Sequence, residues 1–170
     1  MQQIDFFSEQ WHRQRNAAAL LFIFDEGGEG DMARMTDDNS QQRTSVVVCN
    51  DKHKMVWFLP VDHNVEIKKE NSTDDESVCD YIFTVNDIEQ IVFGEIKNRK
   101  KQWINDGIAQ LGNTIEVFKS NHNIFQWSSR RAFVSNRFFP QHRQCTITRE
   151  EQFRDTYGIR LYVQNSIAVE

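Results

Sequence analysis

The chain has 170 residues, 39% of them apolar and 26% charged, with a formal net charge of −5. That size suits one domain able to bury roughly two thirds of its unfolded surface, and the apolar content argues against a chain disordered as a whole. The acidic balance argues against a uniformly basic nucleic-acid binder, but it leaves room for one basic face on an acidic body. The three cysteines, Cys49, Cys79 and Cys145, are odd in number and far apart, so no disulfide framework is implied. The longest apolar run, residues 17–24, is far short of the roughly 20 residues a membrane-spanning helix needs. Asp5 and Glu9 stand where a signal peptide would carry positive charge. The expectation is a cytoplasmic protein forming a single domain over residues 1–170.

Taken in chain order, residues 4–24 predict a helix, with polar and apolar residues at helical spacing that give way to a fully apolar end. Residues 25–44 are polar and contain glycines, which predicts a mobile loop. The runs at 45–49 and 54–59 flank the short polar stretch 50–53 and predict a hairpin, closed by Pro60. A weaker short strand is expected at 65–68, followed by an acidic loop at 70–77. Residues 78–85 predict a strand, Asn86-Asp87 a turn, and 88–96 a second strand. Ile91, Val92 and Phe93 are apolar in succession, as in a central strand covered on both faces. A helix is expected at 102–119, where Ile104, Ile108, Leu111, Ile115 and Phe118 form one apolar stripe. Another strand is expected at 131–135. A short helix at 149–157 should end on Gly158, and a last hairpin is expected from 159–163 and 167–169 through Asn165-Ser166. This order predicts an α/β fold: a mixed central β-sheet flanked by helices on both faces.

The charges are segregated. Residues 119–149 hold no Asp or Glu but include Arg130, Arg131 and Arg137, and a second basic group, Lys97, Arg99, Lys100 and Lys101, lies just upstream. Such charges can grip a phosphate backbone in a salt-dependent way. Phe125, Trp127, Phe138 and Phe139 interleave with them and could stack on unpaired bases or simply pack the core. His142 and Cys145 form one pair at metal-ligand spacing with no second pair to complete a zinc site. The glycines at 27–30 lack the Lys-Ser/Thr of a phosphate loop.

The most informative residues are Asp80, Glu95 and Lys97. Glu95 and Lys97 are two apart, so on a strand they share a face. A tight hairpin would bring the start of the first strand, with Asp80, beside the end of the second. Two carboxylates placed together disfavour each other's ionised form unless a cation sits between them, and hard divalent cations take such oxygens.

The pattern Cys79-Asp80, fourteen residues, then Glu95-Ile96-Lys97 resembles the PD-(D/E)XK, or restriction-endonuclease-like, nuclease superfamily. The resemblance covers residues 78–135. Cys79 stands where that motif usually has proline. The resemblance implies a metal-dependent (endo)deoxyribonuclease that hydrolyses phosphodiester bonds to leave a 5′-phosphate, acting on DNA rather than RNA. It implies that Asp80 and Glu95 hold Mg²⁺ or Mn²⁺ and that Lys97 acts on the attacking water. Some branches carry a glutamine on the following helix, here Gln110, with an aromatic residue four places later where this chain has Thr114; some relatives add an acid from the first helix, here Glu9. A chain this short leaves little room for a sequence-reading domain, so a homodimer or a recruiting protein partner is expected. Two rivals stand beside this reading. One is a catalytically inactive nuclease-fold binding module. The other is an unrelated α/β protein in which Asp80 and Glu95 lie far apart.

Overall fold

The computed structural model describes residues 2–40, 46–138 and 146–170. Along the chain run β1 (Gln14–Asn16), β2 (Leu20–Phe24), β3 (Arg34–Thr36), β4 (Val46–Cys49), β5 (Val56–Pro60), β6 (Tyr81–Val85), β7 (Gln90–Lys97), α1 (Trp103–Asn121), β8 (Ser129–Asn136), α2 (Ile147–Tyr157), β9 (Arg160–Val163) and β10 (Ser166–Ala168). Ser45, Phe139, His142, Cys145 and residues 41–44 of the expected loop lie outside the described residues.

The strands form two mixed sheets. The larger has the order β1-β5-β6-β7-β8-β9 and the smaller the order β10-β4-β2-β3. In the large sheet β5, β6 and β7 form an antiparallel meander, and β8 and β9 then run parallel to β7. Parallel neighbours need a crossover: α1 supplies one between β7 and β8, and α2 the other between β8 and β9. The Asn86-Asp87 turn forms as expected, with both residues at positive φ (43° and 63°), a conformation that Asn and Asp tolerate.

Alternation along β6 and β7 divides the core. Ile82, Ile91 and Phe93 face the helices, where Phe118, Ile115, Leu111 and Phe153 cover them. Tyr81, Phe83, Val85 and Val92 face the small sheet and meet Leu21, Ile23, Val46, Val48 and Ile167. Both helices therefore lie on one face of the large sheet, and the small sheet covers the other. This corrects the expected helix on each face. The central strand is covered on both sides, as its unbroken apolar run requires. At the β6–β7 rung that pairs Tyr81 with Gly94, the tyrosine ring lies over the glycine, and a Cβ on Gly94 would fall inside the ring.

Five local expectations fail, because tertiary pairing overrides local pattern. Residues 4–24 form no helix. Residues 4–11 are turns, with Phe6 and Phe7 packed on Phe118, and the apolar end becomes β2, whose Leu21 and Ile23 close the core between the sheets. The expected loop 25–44 contains β3, paired antiparallel to β2. The runs around 50–53 form no hairpin, because β4 joins the small sheet and β5 the large one. Asn50 fixes that crossing: its buried amide donates to the Ala18 and Lys54 carbonyls (3.1 and 2.8 Å) and accepts from the Lys54 N–H (3.0 Å). The last hairpin is likewise a crossing, with β9 parallel to β8 and β10 parallel to β4. Residues 65–68 form no strand; Lys68 makes only an isolated bridge to Asp75. Gly158 caps α2 as expected, at φ 72°.

Candidate active site

The β6–β7 register, continued one step past its last pair, places Asp80 opposite Glu95. Tyr81 pairs with Gly94, and one step outward the Asp80 N–H donates to the Glu95 carboxylate (Oε2, 3.1 Å). The Asp80 carboxylate turns the other way along the pair and accepts from the Ile96 N–H at 2.6 Å. Glu95 Oε1 lies 2.7 Å from Lys97 Nζ, and their side chains keep only 3% and 12% of their surface exposed. Two acids and an amine thus meet at the end of β7, beside the start of α1.

The helix holds this arrangement through two side chains and the close approach of one glycine. Gln110 Oε1 accepts from Lys97 Nζ, and Gln110 Nε2 donates to the Val78 carbonyl at 3.1 Å. Thr114, one turn later, accepts the Cys79 N–H at 2.8 Å. The polar residue at 114 therefore pins the segment that leads into Asp80, which an aromatic side chain could not do. Gly107 faces the strand ends, where an added Cβ would lie 2.7 Å from a Val134 methyl and 3.5 Å from Glu95 Cγ. The Cys79 thiol is fully buried, and burial pushes it well above the usual thiol range, so it is no nucleophile.

Burial also dominates the two carboxyls. It lifts Asp80 from 3.8 to about 7; Asp25 and Asp62 push the same way, against the Ile96 N–H and the Lys97 charge. Glu95 is held well above the usual carboxyl range by burial first and Asp80 second, against Lys97. A pair that resists ionisation in this way is a pair that a cation would stabilise.

Asp25 and Asp62 were not picked out from the sequence. Asp62 follows the β5 end marked by Pro60, and an acid just past a strand end was a usable signal. Its own carboxyl is raised, chiefly by burial. Asp25 follows β2 in the small sheet, and its approach to Asp80 depends on one sheet folding over the other. Nothing local announced it.

The basic residues divide into two groups. At the site end, Arg99 pairs with Asp106 across the start of α1, and the Lys100 ammonium lies 5.7 Å from the centre of the Phe138 ring. Lys101 is exposed beside them. Arg137 donates to the Asp25 carbonyl at 2.7 Å, tying the end of β8 to the small sheet. Arg130 and Arg131 sit at the other end of β8, beside Ile91 and Val92, whereas Lys97 pairs with Asn136. Five residues of strand put Arg131 about 16 Å from that rung. Arg131 is buried and donates to Gln90 (2.9 Å) and to the Ala168 carbonyl (2.8 Å), so it joins the two sheets instead of facing a ligand at the site. Glu9 is exposed in the N-terminal turns, which pack through Phe6 and Phe7 against Phe118 and His122 at the far end of α1; it takes no part in the site.

No protein-family model, curated protein or solved structure matches the chain. Among the described residues no helix is long and apolar enough to cross a membrane.

Proposed function

We propose that this protein is a metal-dependent nuclease that hydrolyses phosphodiester bonds in DNA, with its active site at Asp80, Glu95 and Lys97. The observation that carries this reading is the convergence of the two buried carboxyls and the amine at one end of the β6–β7 pair. The meander β5-β6-β7 followed by a helical crossover to a parallel β8 supports a restriction-endonuclease-like core, since it sets the acid and the Glu-x-Lys on the same strand ends as the motif they resemble.

The donor set fits a hard divalent cation. Asp80 and Glu95 would hold Mg²⁺ or Mn²⁺, and carboxylate oxygens are the ligands such ions prefer. Among the described residues no three His, Cys, Asp or Glu side chains form a metal-binding group, so water and substrate oxygens would complete the shell, as Mg²⁺ generally requires. When bound, such an ion polarises the phosphoryl oxygen and lowers the pKa of bound water.

The protein's own groups act around that chemistry. Lys97, held by Glu95 and Gln110, presents a fixed positive charge where the attacking water and the developing negative charge on phosphorus would sit. Gln110 keeps the amine in place while also holding the Val78 carbonyl, which couples its position to that of Asp80. Lys100 and Lys101 adjoin the site and would take the flanking phosphates.

The deciding experiment is cleavage of plasmid and single-stranded DNA with Mg²⁺ or Mn²⁺, wild type beside Lys97→Ala. Metal-dependent cleavage that disappears in the variant supports the assignment. No cleavage by the wild type would overturn it and favour the inactive binding module, and equal cleavage by both proteins would remove Lys97 from the chemistry.

A further inference from the structure

A cleft of about 320 Å³ opens on the helix-facing side of the large sheet, past the C-terminal end of α1. Its walls include Phe7, Trp57, Leu59, Ile82, Thr84 and Trp127. Trp57 is half-buried on β5, and the indole N–H of Trp127 is already satisfied by the Asp87 carbonyl at 2.8 Å. The lining is therefore flat, aromatic and largely without free hydrogen-bonding groups.

Its rim is cationic. Arg13 and Arg15 lie two residues apart at the edge of the sheet, with their guanidinium carbons 5.8 and 5.3 Å from the centre of the Trp57 ring. Arg130 sits 5.3 Å from the ring of Phe125, which is 75% exposed in the 3-10 turn Ile124–Gln126 beside the cleft. Among the described residues none of these three arginines is in an ion pair. One carboxylate, Asp87, lines the cleft against them.

Arg13 and Arg130 each donate to a backbone carbonyl, of Phe7 (2.9 Å) and Trp127 (2.7 Å), but none of the three charges is neutralised, and aromatic faces alternating with such guanidiniums complement a ligand that is itself flat and apolar at intervals and anionic between them. We propose that this cleft binds single-stranded nucleic acid, seating an unpaired base against Trp57 while Arg13 and Arg15 take the adjoining phosphates. Stacking on an aromatic side chain suits any base, and guanidiniums on the rim supply the backbone contacts. A duplex would fit poorly, since its base faces are covered by their neighbours.

The cleft also has a direction relative to the candidate active site. Ile82 and Thr84 follow Asp80 at two-residue steps along β6, so the Thr84 wall stands about 13 Å from Asp80. Ile82, which lies between the two, is buried in the core. The proposal rests on the nuclease reading for its place in a reaction, but not for its ligand.

The test is fluorescence anisotropy of a short labelled oligothymidylate with the full chain in EDTA, comparing wild type with Trp57→Leu, Trp57→Phe and Arg15→Gln. Trp57→Leu should weaken binding by about fivefold or more, the lower range for loss of one stacked base, while Trp57→Phe stays within about twofold of wild type. Arg15→Gln, an exposed position whose loss leaves the core intact, should weaken binding and flatten its salt dependence by about one ion. A thermal melt of each variant accompanies the titration, and if Trp57→Leu does not fold, Arg15→Gln and the salt slope decide. Failure of the wild type to bind the oligonucleotide overturns the proposal, as does wild-type affinity in both Trp57→Leu and Arg15→Gln. Mg²⁺-dependent cleavage, assayed on the same preparations, separates the two readings. Trp57-dependent binding by a protein that never cleaves keeps the cleft and removes the nuclease. Cleavage with binding indifferent to Trp57 and Arg15 keeps the nuclease and removes the cleft.

Discussion

Replacing Asp80 by asparagine isolates the cost of keeping a carboxyl in this site. Burial, helped by Asp25 and Asp62, lifts Asp80 from 3.8 to about 7 in the folded protein. At about 1.4 kcal/mol per pH unit, ionising this group costs the folded state about 4 kcal/mol relative to the unfolded chain. Because the folded value is raised, the neutral carboxyl is tolerated below pH 3.8, and stability is lost progressively as the pH climbs from there to about 7. Asparagine keeps an oxygen to accept the Ile96 N–H and carries no charge. Without divalent ions, Asp80→Asn should therefore match wild type near pH 4 and exceed it by about 4 kcal/mol at pH 8, or about 10 °C in Tm for a chain of this length. Urea unfolding in EDTA at several pH values reads this directly. Mg²⁺ should then stabilise the wild type at pH 8 but not the variant, since an ion that binds only the folded state shifts the equilibrium towards it. A variant no more stable than wild type at pH 8, or a gap that does not close towards pH 4, would refute the argument that the site stores this energy.

Four further variants test the packing and the basic surface. Gly107→Ala should destabilise by about 1–3 kcal/mol and depress cleavage, because the new methyl meets Val134 and leans on Glu95; urea unfolding and a cleavage assay read the two effects. Thr114→Val removes the acceptor for the Cys79 N–H at nearly constant shape and should cost about 1–3 kcal/mol through the buried donor left unpaired, measured by urea unfolding. Arg131→Met should destabilise by a comparable amount, since the Gln90 side chain and the Ala168 carbonyl lose their donor. Its DNA affinity per folded molecule should stay unchanged, whereas Lys100→Ala with Lys101→Ala should leave the melt unchanged and lower the salt dependence of DNA binding by about two ions.

The sequence determined by itself the stretch in which local pattern and tertiary demand agree. Strands β6 and β7, their Asn86-Asp87 turn, α1 and β8 follow from an unbroken apolar run, a turn pair that tolerates positive φ and a helical stripe, all in near sequence neighbours. Two-residue alternation and a short hairpin then suffice to bring Asp80, Glu95 and Lys97 together, and about two turns of helix add Gln110. Only the tertiary structure decided the rest. Whether an apolar run such as 17–24 becomes a helix or a strand depends on which surface must be covered, and here the small-sheet side of β6 and β7 required β2 and β4. The polar stretches 50–53 and 165–166 look like hairpin turns, yet Asn50 and Asn165 carry the chain from one sheet to the other by side-chain bonds to residues distant in sequence. The same long-range packing sets Asp25 beside Asp80 and buries Arg131 between the sheets, because burial and electrostatic neighbours are properties of the folded surface that no local spacing encodes.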